Sequence, residues 1–161
     1  MNLRKYLTTG KEKTTILIRF LVGVVFLAEG IQKFLYPSLR GPGRFESIGI
    51  PFPEFSGYMV GGFETVCGLL VLLGLFTRYA SIPLIIIMVV AIITTKIPIL
   101  FGTEMMGFSL RNLEYYGLLS MIHESRNDMA MLVGSIFLLI KGGGMYSLDL
   151  KLFGSGDPDH H

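Results

Sequence analysis

Residues 55–76 read FSGYMVGGFETVCGLLVLLGLF, and Glu64 is the single charged residue in this apolar run. About 20 mostly apolar residues is the length that an α-helix needs to cross the hydrocarbon core of a bilayer. On a helix, Gly61 and Gly68 share a face with Glu64. Gly57 extends this face into a GxxxG pair, and small residues of this kind mark where membrane helices touch. We therefore predict a central membrane helix that turns Glu64 toward a neighbouring helix.

Three further segments extend this helix into a predicted bundle of four transmembrane helices, an all-α membrane fold. Two of them, at about residues 15–35 and 79–97, are long and mostly apolar. The fourth is predicted at about residues 126–141, where Ser125 and Asp128 have the spacing of a capping box that begins a helix. Such a helix is about 24 Å long, and it spans a bilayer if the lipid thins locally or the end residues snorkel.

Lysine and arginine residues flank the predicted membrane domain, residues 15–149, and indicate its orientation. The N-terminal segment 1–14 is basic, and the polar tail 150–161 contains Lys151. Arg78 lies in the short turn after the second span. Because basic residues collect on the cytoplasmic side of membrane proteins, and four spans place these regions on one side, we predict that both termini are cytoplasmic.

The composition narrows the classes of partner. The formal net charge is +2 and 16% of the residues are charged, so the chain lacks the basic surplus that is typical of nucleic-acid binding. Cys67 is the single cysteine, and His123 is the one histidine outside the last two residues. These residues provide no ligand set for a metal site or for a haem held by two histidines. We expect no nucleic acid, metal or haem as a partner.

Ionisable side chains inside the apolar runs are the candidate functional residues, because charge in hydrocarbon is costly unless it is paired or faces a cavity. Glu29 and Lys33 are four residues apart on the first helix, so they share a face and can pair. Glu64 lies at a comparable depth on the second helix. We predict Glu29 and Glu64 as catalytic residues that carry protons. The alternative is a buried ion pair with Lys33 or Arg126 that only locks the bundle.

A second group of polar residues enters the bundle from the same, outer side. Lys33, His123 and Arg126 are predicted substrate-binding residues, since the cationic members can attract an anionic substrate. Simpler interpretations also exist: Lys33 snorkels to the interface, His123 is an ordinary surface histidine, and Asp128 caps its helix. Near the inner boundary, Arg19 is predicted to snorkel to cytoplasmic headgroups.

Short motifs along residues 17–149 make the chain resemble the DoxX family of small bacterial membrane proteins. The first helix contributes Arg19, Gly30 and Lys33. The remaining motifs are GIPFP at 49–53, ExxxGxL at 64–70, GLFTRxA at 74–80 and GGGMYSLD at 142–149. The order of these motifs and their placement on four predicted spans make the resemblance specific.

The resemblance implies a four-helix fold in the inner (plasma) membrane of a bacterium, in contact with the lipid bilayer. Named members of the family are subunits associated with thiosulfate:quinone oxidoreduction and with a quinol oxidase complex. We therefore predict a redox subunit that works with the quinone pool, with a diffusible quinone as cofactor and a homo-oligomer or a partner redox subunit as its assembly. The alternatives are a non-catalytic anchor or assembly subunit of an oxidoreductase complex, and a small proton or solute pathway.

Overall fold

The structure, a computed structural model, describes Thr9 and residues 12–154. The regular secondary structure of this part of the chain is helical. Its elements are α1 (Thr15–Leu35), α2 (Pro42–Ile48), α3 (Pro53–Leu73), α4 (Thr77–Ala91), a π-helical turn (Ile92–Lys96), α5 (Ile97–Phe101), α6 (Leu118–Lys141) and α7 (Leu148–Phe153).

Within the described residues, three helical segments are long and apolar enough to cross a membrane. They are α1, α3 and the continuous stretch Thr77–Phe101, which joins α4, the π-helical turn and α5. Many of their apolar side chains point outward, for example Leu17, Val66 and Ile86. An apolar outer surface of this extent is stable against lipid rather than water, so these helices make the chain a membrane protein.

Helix α6 is longer than the sequence predicts. It begins at Leu118, directly after Gly117, and the predicted start near Arg126 is wrong. Ser125 lies inside the helix, where its hydroxyl donates to the carbonyl of Met121 at 2.7 Å. The S-x-x-D spacing therefore belongs to a helix interior, where a serine hydroxyl can bond to the preceding turn. With 24 residues, α6 is about 36 Å long.

Helices α1 and α3 pack closely through glycines, as the glycine spacing predicts. Gly23 faces Gly68, and Gly30 faces Gly61, on the buried sides of the two helices. A Cβ added at Gly30 would lie 2.5 Å from the backbone nitrogen of Thr65, which is too close for any side chain. Small residues permit this close backbone approach between membrane helices, and the predicted contact face is confirmed.

The third span continues past Ile97, where the sequence predicts its end. It passes through the π-helical turn, Ile92–Lys96, just before Pro98, which has no N–H to donate. The amide of Ile97 donates to the i−5 carbonyl, which is the pattern of a π turn. The hydroxyls of Thr94 and Thr95 donate to carbonyls in the last turn of α4. The wider turn lets the helix continue past a proline that would otherwise end it.

Residues 142–149 fold across the end of the bundle at which α1 begins, and we call this the closed end. Arg19 is 5% exposed there, and its guanidinium donates to the carbonyls of Gly143 and Tyr146, each at 2.7 Å. The prediction that Arg19 snorkels to headgroups is therefore wrong. Its acceptors come from a segment that follows the last long helix, which a local sequence pattern does not reveal.

Asp149 also holds the closed end together, through hydrogen bonds to backbone groups. Its carboxylate accepts hydrogen bonds from the amides of Phe76 at 2.6 Å and Thr77 at 2.9 Å, at the start of α4. Its own amide donates to the carbonyl of Gly74 at 2.8 Å. A carboxylate at a helix start satisfies amides that have no partner within the helix. The last residue of the GGGMYSLD motif thus holds the chain after α6 to the start of α4.

Candidate functional site

A cavity of about 510 Å³ lies between α1, α3, α4 and α6, in the half of the bundle where α1 ends and α3 begins. We call this half the open end. Apolar side chains form much of the lining: Val25, Phe26, Met59, Val60, Ile86, Ile87, Val90 and Met131. Charged side chains from α1, α3, α6 and the π-helical turn also line it. The cavity therefore combines apolar walls with a small set of ionisable groups, as ligand sites commonly do.

Lys33 and Glu64 form a buried ion pair across the contact between α1 and α3. The Lys33 Nζ lies 2.5 Å from the Glu64 Oε2, and the two residues are 8% and 3% exposed. Gly61 packs against the Lys33 side chain, so the glycine contact between the helices also positions the ion pair. Of the two partners that the sequence leaves open for Glu64, the structure selects Lys33. Removing either member would leave an unpaired charge among the helices.

Glu29 lines the same cavity as Glu64 and is half-buried. The two carboxylates are near enough for their charges to interact. The structure therefore brings both predicted carboxylates, together with Lys33, to one cavity. Their catalytic role stays a prediction.

His123 and Arg126 lie outside the cavity lining. Both residues are exposed, and the Arg126 guanidinium donates to the carbonyl of His123 at 2.8 Å, within α6. The structure does not bring these two predicted substrate-binding residues to Lys33. Their role in substrate binding stays a prediction that concerns the outer surface of α6.

A second ion pair of the cavity, between Lys96 and Asp128, was missed by sequence reasoning. The Lys96 Nζ lies 3.2 Å from the Asp128 Oδ2, and Lys96 is 8% exposed. Asp128 does not cap α6, because that helix already begins at Leu118. A lysine near the end of an apolar run needs a partner, and this was the available signal.

Arginine side chains surround the entrance at the open end. The Arg111 Nη1 lies 2.6 Å from the Glu124 Oε2, and this ion pair lines the cavity. Arg40 and Arg44 line it too, and both are exposed. A ligand that enters from this end meets the arginines before it reaches the ion pair of Lys33.

The side chains of the site include groups that can carry protons and groups that can donate hydrogen bonds. In the part of the chain that the structure describes, no group of three or more His, Cys, Asp or Glu residues could hold a metal ion. The cavity offers carboxylates that can carry protons, ammonium groups that can donate hydrogen bonds, and apolar walls. This combination suits a mostly apolar ligand with polar groups at its edge.

The model of the DoxX family matches residues 14–97, from just before α1 through the π-helical turn. The chain belongs to the DoxX family. The matched region contains Glu29, Lys33 and Glu64, so the two helices that form the first ion pair are part of the DoxX domain.

Two relatives are similar to this chain over more than the residues that the family model matches. "Uncharacterized membrane protein Rv3486" of Mycobacterium tuberculosis is 51% identical over 139 residues, 86% of this chain and 81% of that protein. "Putative oxidoreductase CatD" of Bacillus subtilis is 33% identical over 140 residues, 86% of this chain and 87% of that protein. No solved structure matches the chain. Since each match covers most of both chains, this DoxX protein is similar to the two relatives along most of its length.

Proposed function

We propose that this DoxX protein is the membrane subunit of a quinone-linked oxidoreductase, of the thiosulfate:quinone or quinol oxidoreductase type, and that its cavity takes the quinone headgroup. The observation that carries the proposal is an ion pair, Lys33 with Glu64, that lies between helices and also lines a cavity of about 510 Å³. An ion pair that only locks two helices needs no such space beside it. The name of CatD, which contains the word oxidoreductase, supports the same class of function.

The size and the lining of the cavity fit a quinone. Sites for small molecules typically have volumes of about 300–1,000 Å³ and mostly apolar walls with a few polar groups. Phe26 and Met131 offer apolar contacts to a ring, and the ammonium groups of Lys33 and Lys96 can donate hydrogen bonds to its carbonyl oxygens. A bound quinone would supply the chemistry of accepting two electrons and two protons to become a quinol.

Glu29 and Glu64 deliver the protons in this proposal. Glu64 is buried beside Lys33, and Glu29 is half-buried on the wall of the same cavity, where water entering from the open end can reprotonate it. A group that donates a proton must lie within hydrogen-bond reach of its acceptor, directly or through one water molecule. The two electrons come from a reduced partner subunit, so that two electrons and two protons enter together.

We also propose that α6 crosses the membrane as the fourth span and that both termini are cytoplasmic. Helix α6 packs against α1 and α4, and its Glu124 and Asp128 line the cavity. Arg78, Lys141 and Lys151 lie toward the closed end, which supports a cytoplasmic position for that end. The cavity then opens to the outer face of the inner (plasma) membrane of a bacterium.

The variant Glu64→Gln tests the proposed function. Native membranes that contain the full chain and its partners are assayed for reduction of decylubiquinone, with each variant present at the wild-type amount. We expect about a hundredfold loss of turnover, because glutamine can accept a hydrogen bond from Lys33 but cannot carry a proton. Glu54→Gln is the matched control, since Glu54 is an exposed residue in the first turn of the same helix.

Unchanged turnover in Glu64→Gln would remove this residue from the mechanism. If the purified protein also bound no decylubiquinone, while deletion of the chain still inactivated the complex, the anchoring role would replace the proposal. Proton flux into liposomes without any quinone would instead support a proton pathway.

A further inference from the structure

A second pocket, of about 430 Å³, lies beside the cavity at the open end and has a different chemistry. It is formed by the segment after α1, by α2, by the π-helical turn and by residues 109–111. We propose that this pocket binds an oxyanion, either a free inorganic oxyanion or the phosphate of a lipid headgroup. The inference does not rest on the proposed quinone function, because it is argued from the charges of the pocket itself.

The charged side chains that line this pocket are all cationic. They are Arg44, Lys96 and Arg111, and no carboxylate of the described residues lines it. Lys96 and Arg111 each hold one carboxylate, of Asp128 at 3.2 Å and of Glu124 at 2.6 Å. Both carboxylates line the neighbouring cavity instead, so the pocket has a surplus of positive charge.

Arg44 is the cation of the pocket whose charge is not compensated. Within residues 12–154 and Thr9, its guanidinium forms no ion pair. The hydrogen bonds of Arg44 involve its backbone: its amide donates to the carbonyl of Gly41 at 3.0 Å, and its carbonyl accepts from the Ser47 hydroxyl at 2.8 Å. A guanidinium group is a planar fork that binds two oxygens of an oxyanion at once. An oxyanion in the pocket would therefore supply the missing partner.

Hydroxyl groups complete the lining with further donors. Thr95 and Ser47 already donate to backbone carbonyls, at 2.6 Å and 2.8 Å. Ser38 and Ser109 also line the pocket, and no hydrogen bond of their hydroxyls is found among the described residues. Their O–H groups are available to the oxygens of an anion, whereas an apolar ligand would leave these donors unsatisfied and a cation would be repelled.

The pocket and the cavity share one wall. Arg44, Thr95, Lys96 and Arg111 line both spaces. An oxyanion in the pocket would compete with Asp128 for the ammonium group of Lys96. Binding in the pocket would therefore change the charge distribution of the cavity, although it places nothing inside the cavity itself.

Titration of the purified full chain with inorganic phosphate tests the inference. The protein is placed in nanodiscs of phosphatidylcholine, and phosphate binding is measured by calorimetry at low ionic strength. We expect Arg44→Gln to weaken binding about ten- to a hundredfold, since it removes a charge-assisted bidentate contact. Lys151→Gln is the matched control, because Lys151 is an exposed cation at the opposite end of the bundle, and it should leave the affinity unchanged.

A second arm separates a free oxyanion from a lipid headgroup. Nanodiscs are prepared with phosphatidylglycerol, and the lipid that stays bound is measured by native mass spectrometry. Phosphate binding that depends on Arg44 identifies a site for free oxyanions. Retention of phosphatidylglycerol that depends on Arg44, without phosphate binding, identifies a headgroup site. The inference is overturned if neither ligand binds, or if Arg44→Gln binds both as the wild type does while its circular dichroism is unchanged.

Discussion

Buried charged side chains have different partners at the closed end and at the open end of the bundle. At the closed end, Arg19 donates to two backbone carbonyls and Asp149 accepts from two backbone amides. At the open end, Lys33 and Glu64 bind each other, and both line a cavity. Charges at the closed end hold chain segments together, whereas charges at the open end surround a space that a ligand can enter.

The difference shows that burial of a charge does not by itself mark a functional site. Arg19 and Glu64 are both almost fully buried in apolar helices. Arg19 is bound to carbonyl groups, which cannot change their charge, while Glu64 is bound to another ionisable side chain beside a cavity. The partner of a buried charge and the space beside it, rather than the depth of that charge in the membrane, distinguish a structural contact from a candidate active site.

Removing the hydrogen bonds of Arg19 at the closed end should have the largest effect on stability. Arg19→Gln deletes the two hydrogen bonds that Arg19 donates to Gly143 and Tyr146. Because hydrogen bonds from charged groups contribute about 1.5–3 kcal/mol each, we expect the free energy of unfolding to fall by about 3 kcal/mol. Unfolding in detergent is followed by circular dichroism. Lys13→Gln, at an exposed residue before α1, is the control. Equal unfolding midpoints for the two variants would show that the Arg19 hydrogen bonds do not stabilise the fold.

Separating α1 from α3 should have a smaller effect on stability and should disturb the open end as well. Gly30→Ala places a methyl group 2.5 Å from the backbone of Thr65, so the helices must move apart. We expect a loss of about 1–3 kcal/mol of stability, as for other overpacked contacts. In the matched control, Gly62→Ala, nothing lies within 4 Å of the added methyl group. Similar unfolding midpoints for the two variants would show that the contact tolerates a side chain.

Breaking the ion pair at the entrance should have the smallest effect. The side chain of Arg111 is 61% exposed, so water and salt screen its contact with Glu124. We expect Glu124→Gln to change the free energy of unfolding by less than about 1 kcal/mol, and this small change should vanish at high salt. The same unfolding assay is run at low and high salt. A larger loss of unfolding free energy would show that the ion pair between Arg111 and Glu124 stabilises the fold.

The sequence predicted helix faces better than it predicted side-chain partners. Helical spacing alone places Gly61 and Gly68 on the face that carries Glu64, and the structure confirms that face. The partner of Glu64 stayed open between Lys33 and Arg126, because partners on different helices depend on how the helices pack. Periodicity describes one helix at a time, so it contains no information on this choice.

The start of α6 and the end of the third span could not be predicted, because the local sequence pattern at each is compatible with two structures. The S-x-x-D spacing that starts at Ser125 is common at helix starts, but a serine inside a helix can also bond to its own preceding turn. Pro98 commonly ends a helix, but a π-helical turn before it lets the third span continue. The first of these patterns led to Asp128 being interpreted as a helix cap rather than as a residue of the site.

The π-helical turn also determines which way the side chain of Lys96 points. Counted from the buried Leu84 at 100° per residue, an ideal α-helix would carry Lys96 about 120° around its axis, toward the lipid. A π turn advances less per residue, so the five residues Ile92–Lys96 rotate the helix phase back toward the protein interior. Deleting one residue before Lys96 would return this turn to an ordinary α-helix and leave Lys96 about 20° from Leu84, still on the inner side. The π turn therefore accommodates one extra residue in the span while the ammonium group stays out of the hydrocarbon.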